Sequence, residues 1–133
     1  MIIKVQTDKQ KAKSLREMAV ITFERLKETD KEKYPSNTLT DYYDIMRRLM
    51  ESLTCLGGVK IKGEGAHQLI IDYICDNYKF NTATKRFIQE MRDYRNKISY
   101  EGFSVKAIYI KTNVKRIEEI IATLLKLVDE KLI

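Results

Sequence analysis

Residues 87–102, FIQEMRDYRNKISYEG, carry the pattern that decides the fold. The apolar side chains recur at the spacings of one helical face, at Phe87, Ile88, Met91, Tyr94 and Ile98. At about 100° per residue, Arg95 falls inside this apolar arc rather than on the opposite side of the helix. A guanidinium on a buried face is costly unless it is paired and hydrogen-bonded. Arg95 is therefore tied into a polar network, held for a ligand, or extended past the rim of the bundle into solvent.

The same periodicity extends through most of the chain. It predicts helices over about residues 8–29, 36–56, 64–78, 81–102 and 107–131, the last of them starting at 107 or 112. The candidate N-caps are Asp8, a hydroxyl within 36–40, and either Asn81 or Thr82, and the expected stops are Gly57, Gly58 and Gly102. Only one proline and five glycines interrupt 133 residues, so the helices are expected to be long.

Amphipathic helices must bury their apolar stripes, and short connections place consecutive helices side by side in opposite directions. A chain of 133 residues has the length of one domain. We therefore predict an all-α protein, an antiparallel up-and-down bundle of four to five helices spanning residues 1–133. Apolar and aromatic side chains in excess near the last two helices complete the core or form a dimer face, and the pattern favours the core. They are Tyr94, Phe103, Tyr109 and Ile110.

Positive charge is concentrated in one part of the chain. Residues 81–116 contain nine Lys or Arg residues and three acids, so this window alone carries the net charge of +6 that the whole chain has. A basic surface around Arg95 is expected of a protein that contacts phosphates, and Arg92, Lys97 and Lys106 are the candidate nucleic-acid-binding residues. A solvated helix face also produces such a window by chance, and that interpretation stays open.

The chain offers few side chains for metal or nucleophile chemistry. Cys55 and Cys75 form neither a CxxC motif nor a disulfide framework, and a P-loop-like pair of glycines is followed by Glu64 where that loop needs lysine. We expect no metal site and no cofactor. The two unpaired cysteines, an N-terminus unlike a signal peptide and the lack of a bilayer-length apolar run predict a cytoplasmic protein without a membrane segment.

His67 is the one histidine of the chain and lies at the start of the third predicted helix. We expect it to be partly exposed or to hydrogen-bond at the helix end. The alternative is a contact with the Arg95 region that forms only when the chain folds.

Four segments together resemble HEPN domains, a family of all-helical proteins. They are 95–100, RNKISY; the tyrosine-bearing stretch 42–53, YYDIMRRLMESL; the glycine break 55–58, CLGG; and 65–69, GAHQL, at the next helix start. The family signature is an arginine followed a few residues later by a histidine. The resemblance covers about residues 36–131. It implies a homodimer that cleaves RNA without a metal, with the arginine–histidine pairs of two chains meeting at the interface.

The resemblance assigns catalytic positions to Arg95, Asn96 and Tyr100. In such chemistry the arginine steadies the charge that builds on the scissile phosphate, and Asn96 would orient a phosphate or a 2′-hydroxyl. Tyr100 stands where the family has histidine, and a phenol with a pKa of about 10 is a poor general base at neutral pH. We therefore predict a dimeric RNA-binding or regulatory protein with weak or lost ribonuclease activity, and Tyr100→His tests whether cleavage returns.

Two other functions stay open. Many HEPN proteins are similar to one half of a toxin–antitoxin pair, which would make a minimal nucleotidyltransferase the partner, with Tyr100 and Tyr109 as the tyrosines nearest the motif. The other alternative is a protein-interaction scaffold without a nucleic-acid role, in which Arg95 is only paired across the bundle. Tyr43 and Asp44 are the candidate partners of Arg95, although the pattern favours a solvent position for Asp44.

Overall fold

Five helices hold 74% of the residues in the computed structural model, which describes residues 1–133 throughout. The helices are α1 (Lys9–Lys27), α2 (Pro35–Leu56), α3 (Ala66–Asn77), α4 (Thr82–Glu101) and α5 (Ala107–Leu132). The prediction of an all-α helical bundle is therefore confirmed. None of these helices combines the length and the apolar character that crossing a membrane requires.

The helix ends follow the expected local chemistry at three places. The side chain of Asp8 accepts the N–H of Lys11, and the side chain of Asn81 accepts the N–H of Thr84. Gly102 closes α4 in the left-handed conformation, with φ of 66°. The second helix starts at Pro35 rather than at a hydroxyl cap in 36–40, because proline already has a helical φ and needs no N–H partner.

A short β-pair was not predicted. β1 (Ile2–Lys4) and β2 (Val59–Ile61) are antiparallel, with Ile3 opposite Lys60. Three residues are too few for an alternating pattern to appear in the sequence. The pair ties the first residues of the chain to the connection between α2 and α3. Gly58 makes the approach possible, because with its φ of 67° an added Cβ would lie 3.0 Å from the carbonyl oxygen of Val5.

Helix α2 is the centre of the bundle and contacts each of the other four helices. Its buried apolar face supplies Leu39, Tyr42, Tyr43, Ile45, Met46, Leu49, Met50 and Leu53. The α5 side chains packed into the same core include Ile117, Ile121, Leu124 and Val128. Both faces were expected from the 3.6-residue periodicity.

The side-chain contacts between helices give their directions. Pairs such as Ser52 with Ala12, Gln89 with Gln68, and Tyr109 with Glu90 belong to the antiparallel neighbours α1–α2, α3–α4 and α4–α5. Helix α3 instead runs in the same direction as α2, since His67 in its first turn shares a pocket with Arg47 in the middle of α2, while the Tyr73 hydroxyl lies beside Gly57 just past the end of α2. The first turn of α3 therefore lies beside the middle of α2, where a candidate site is formed.

Candidate functional site

Three arginines from two helices lie near the first turn of α3. Arg47 comes from α2, and Arg92 and Arg95 come from α4. All three guanidinium charges act on the hydroxyl of Tyr43 in α2 and on the imidazole of His67 in α3. We call this set of five side chains the arginine groove.

Tyr43 is the buried member of the arginine groove. Its side chain is 1% exposed and its hydroxyl has no hydrogen-bond partner. Burial raises the pKa of Tyr43 to about 12, against the opposing effect of the positive charges of Arg92, Arg47 and Arg95. The preceding residue, Tyr42, is equally buried but donates its hydroxyl to Glu118 Oε2 at 2.8 Å. An unpartnered buried hydroxyl is uncommon, and here it lies among cations.

Arg95 is only partly paired. Its Nε is buried without a hydrogen-bond partner and lies 3.7 Å from Asp44 Oδ1, which is an ion-pair distance but too long for a hydrogen bond. The expectation of a solvent position for Asp44 is wrong, because its side chain is only 27% exposed and faces Arg95 across the α2–α4 contact. Arg95 is therefore partly exposed and ion-paired with Asp44, and it does not complete a hydrogen-bonded network.

The other two arginines also keep unused donors. Arg47 Nε donates to Glu51 Oε1 at 2.8 Å, one turn along α2. Arg92 Nε donates to Gln89 Oε1 at 3.1 Å, and its Nη2 donates to Asp93 Oδ1 at 2.9 Å. Each guanidinium has five N–H donors, so the arginine groove holds more donors than its own acceptors satisfy. An anion would supply the missing acceptors.

His67 lies close enough to the arginines to respond to their charge. Burial lowers the pKa of His67, and repulsion by Arg47, Arg95 and Arg92 adds to this effect while Glu51 opposes it. The side chain remains exposed, as expected. The arrangement also matches the alternative interpretation, in which folding brings His67 to the Arg95 region. The imidazole is therefore neutral at neutral pH and available to donate or accept a proton.

The predicted site residues separate into different places. Arg92 and Arg95 share the arginine groove, and Asn96 is half-buried next to them on α4. Tyr100 lies about 140° around the helix from Arg95 and is 81% exposed. Lys97 and Lys106 do not lie in the arginine groove.

Lys97 and Lys106 belong to a second surface where α4 turns into α5. There the ring of Tyr94 stacks on Phe103 at 5.7 Å and meets Tyr109 edge-on at 5.0 Å. The Lys97 Nζ lies about 6 Å from the Tyr94 and Phe103 ring centroids. A shallow pocket of about 370 Å³, lined in part by Lys106 and Ile108, opens here. We call this surface, formed by Tyr94, Lys97, Phe103, Lys106, Ile108 and Tyr109, the aromatic corner.

The apolar surplus near the last two helices is divided between core and surface. Ile110 is buried, which agrees with the core that the pattern favoured. Tyr94 and Tyr109 are half-buried, whereas Phe103 is 41% exposed and Ile108 is 62% exposed. Part of the aromatic corner therefore stays uncovered in the single chain.

Arg47 was not predicted to be a site residue. Arg47 lies outside the basic window 81–116, and its neighbours in α2 are mixed in charge. A usable signal was present in the spacing, since Tyr43, Arg47 and Glu51 follow one another at intervals of four on one helical face. That face is also the face that meets Arg95.

No group of three His, Cys, Asp or Glu side chains lies close enough together to hold a metal ion. The two cysteines are apart, and burial raises the pKa of Cys75 to about 11, so its thiol is protonated at neutral pH.

The chain matches no protein-family model, no curated protein and no solved structure.

Proposed function

We propose that the protein binds RNA through the arginine groove, as a HEPN-like module whose ribonuclease activity is weak or lost. One observation carries the proposal: three arginines converge on the buried Tyr43 hydroxyl, which has no partner within the chain. Phosphate oxygens are the acceptors that guanidinium groups bind best, often through two N–H groups at once.

The arginine groove also argues against a plain structural scaffold. A structural arginine would be expected to have its hydrogen bonds satisfied, because an unpaired buried donor costs about 1–3 kcal/mol. Arg95 Nε and the Tyr43 hydroxyl are both buried and unpaired, and they lie in the same groove. RNA rather than another polyanion is chosen because residues 95–100 resemble the arginine signature of an RNA-cleaving family.

Cleavage is expected to be slow because no general base stands beside Arg95 on α4. Tyr100 faces solvent, and the imidazole near the arginines is that of the exposed His67 of α3, whose pKa is lowered by burial. A positioned acid–base group contributes a factor of about 10² to 10⁴. Residual cleavage should therefore depend on His67, and His67→Gln should remove it.

The test compares two variants of the same helix that each remove one positive charge. Arg92→Gln alters the arginine groove, and Lys97→Gln alters the aromatic corner. Binding of a short single-stranded RNA, measured by fluorescence anisotropy, should weaken about tenfold or more in Arg92→Gln, because a charge-assisted hydrogen bond is worth about 1.5–3 kcal/mol. The slope of log affinity against log salt should also fall by about one.

Lys97→Gln should change the RNA affinity by less than about twofold, because a distant surface charge is screened. Thermal unfolding followed by circular dichroism checks that both variants fold. No RNA binding by the unaltered protein at low salt would refute the proposal, as would equal losses in the two variants. The same oligonucleotide made as DNA shows whether the 2′-hydroxyl contributes.

The proposal includes a homodimer, formed through the aromatic corner. Exposed Phe103 and Ile108 beside Tyr94 and Tyr109 form the kind of apolar and aromatic surface that is enriched in the cores of interfaces. The resemblance of residues 36–131 to HEPN domains also implies two chains.

A second function is favoured by the exposure of one tyrosine. We propose that, if a minimal nucleotidyltransferase is the partner, it modifies Tyr100, which is 81% exposed, and not Tyr109, whose hydroxyl donates to Glu90 Oε2 at 2.7 Å. Mass spectrometry of the protein produced together with a nucleotidyltransferase encoded beside it tests this. A nucleotide adduct on Tyr100 is expected, and an unmodified chain would rule this function out.

A further inference from the structure

A second cavity adjoins the arginine groove. It has a volume of about 410 Å³ and opens between the β-pair, the start of α1, the end of α2 and the first turn of α3. Arg47, Glu51 and His67 line it, so two members of the arginine groove also belong to this cavity. Its size lies in the range of about 300–1,000 Å³ that small-molecule sites occupy. We call it the hairpin pocket.

The hairpin pocket has uncompensated positive charge. Lys11 of α1 and Lys60 of β2 line it, and neither forms an ion pair with a carboxylate. The two acids in the lining already have partners, since Asp8 accepts the N–H of Lys11 and Glu51 accepts from Arg47. Neither lysine is therefore neutralised by a carboxylate within the chain.

Backbone donors add to this charge at the first turn of α3. No side chain caps the helix and its first turn contains no acid. Ala66 and Leu69 donate to the carbonyl oxygens of Gly63 and Gly65, which leaves the N–H groups of His67 and Gln68 without acceptors. The N-terminus of a helix favours anions because its N–H groups and its dipole both point outward.

The remaining wall of the hairpin pocket is apolar. Val59 and Ile61 of β2 and Ile70 of α3 form it. An apolar wall facing a set of cations suits a ligand with a charged group at one end and a less polar body at the other, as a terminal nucleotide has.

We infer that the hairpin pocket binds the terminal phosphate of an RNA strand whose backbone lies in the arginine groove, an inference that rests on the proposed function. A phosphate monoester carries a charge of about −1.5 to −2 at pH 7 and presents three acceptor oxygens. A phosphate diester within the strand carries a single charge. Lys11, Lys60 and the free N–H of His67 match the monoester, and Arg47 and His67 join the hairpin pocket to the groove.

The test uses one oligoribonucleotide in three forms, with a 5′-phosphate, with a 3′-phosphate, or with hydroxyls at both ends. Isothermal titration calorimetry avoids a dye at either end. One phosphorylated form should bind the unaltered protein about tenfold more tightly than the hydroxyl form, and which form it is gives the direction of the strand.

Lys60→Gln should remove this preference, and Lys62→Gln should keep it. Lys62 is the matched control because it follows the same strand, is exposed and does not line the hairpin pocket. Lys11→Gln and Lys13→Gln form a second pair on α1, in case the strand variants fail to fold. Circular dichroism confirms folding in each case.

Equal binding of all three RNA forms overturns the inference and leaves RNA binding by the arginine groove in place. A preference that Lys60→Gln and Lys62→Gln reduce equally also overturns it, because the effect is then general attraction by surface charge. Failure of every form to bind at low salt overturns the proposed function, and the inference with it.

Discussion

The arginine groove and the aromatic corner lie on different sides of the same half of α4, and they differ in how far their polar groups are satisfied. In the groove, the Tyr43 hydroxyl and Arg95 Nε are buried without partners. At the corner, Tyr109 donates to Glu90, and the aromatic rings pack on one another. Buried polar groups of the groove lack hydrogen-bond partners, whereas the corner lacks only an apolar surface that covers it. An anion completes the first, and a protein surface completes the second.

Residues that form a motif in the sequence of one helix need not lie in one site. Arg95 and Tyr100 are five residues apart, so the helix turns them about 140° away from each other. Arg95 enters the groove, Lys97 covers the corner and Tyr100 faces solvent. Side chains that act together in one reaction must therefore come from different helices, as would Arg95 of α4 and His67 of α3.

A charge introduced at the aromatic corner is expected to change self-association more than any other substitution changes its own measured quantity. Phe103→Glu should weaken self-association by about 30- to 1,000-fold, because an aromatic interface anchor is commonly worth about 2–4 kcal/mol. Sedimentation velocity should show a dimer for the unaltered chain and a monomer for the variant. Ile21→Glu is the control, since Ile21 is 51% exposed on α1, which makes no contact with α4. A monomeric unaltered chain at micromolar concentration would refute the dimer.

Tyr42 and Tyr43 are equally buried, but their replacement by phenylalanine should change the free energy of unfolding differently. Tyr42→Phe should destabilise the protein by about 1.5–3 kcal/mol, since it removes a hydrogen bond to the Glu118 carboxylate. Tyr43→Phe should instead leave stability unchanged or raise it by about 1 kcal/mol, because its hydroxyl has no partner to lose. Urea unfolding measures both values.

RNA affinity completes this comparison. Tyr43→Phe should lower it, while Tyr42→Phe should not once the protein is folded. Equal destabilisation by both variants would mean that the Tyr43 hydroxyl is satisfied in solution, for instance by water, and is not reserved for a ligand.

The periodic parts of this fold were predictable from the sequence. Five amphipathic helices, the caps at Asp8 and Asn81 and the stop at Gly102 follow from local propensity and spacing. The β-pair was not predictable, because each strand has three residues and its partner is more than fifty residues away. The shared direction of α2 and α3 depends on that pair and was missed for the same reason.

The candidate site was predicted only where it lies on one helix. Arg95 was identified because an arginine interrupted an apolar arc. Arg47 was not predicted, and the solvent position favoured for Asp44 was wrong, because the spacing within α2 does not show which helix packs on that face. His67 could be proposed but not placed, since its contacts arise from the packing of three helices.

The pKa of His67 depends on the positive charge of the arginine groove, and its expected changes are smaller. Burial and the charge of Arg47 hold the pKa of His67 below its ordinary value of about 6.5. Arg47→Gln should raise this pKa, and RNA binding should raise it as well, because phosphates offset the arginine charges. His67 is the single histidine, so its imidazole signals in proton NMR need no assignment.

The sign of the linked stability follows from the lowered pKa. The unfolded chain binds the proton more readily, so the contribution of His67 is present above a pH of about 6.5 and is lost as the pH falls through the folded-state pKa. Lys97→Gln at the aromatic corner is the control and should leave the pKa of His67 unchanged. A fall of that pKa in Arg47→Gln would contradict the assigned geometry.

Replacement of Tyr100 is expected to change RNA binding and cleavage least. Because its side chain faces solvent, Tyr100→His should leave RNA affinity within about twofold and should create no metal-independent cleavage in a single chain. Cleavage of a labelled RNA in the presence of a chelator, followed by gel electrophoresis, measures this. If Tyr100→His did gain cleavage, and Arg95→Gln then removed it, position 100 would have to reach an arginine groove. Since it cannot reach its own, that groove would be the one of a second chain, and the two regions would form one site across the dimer.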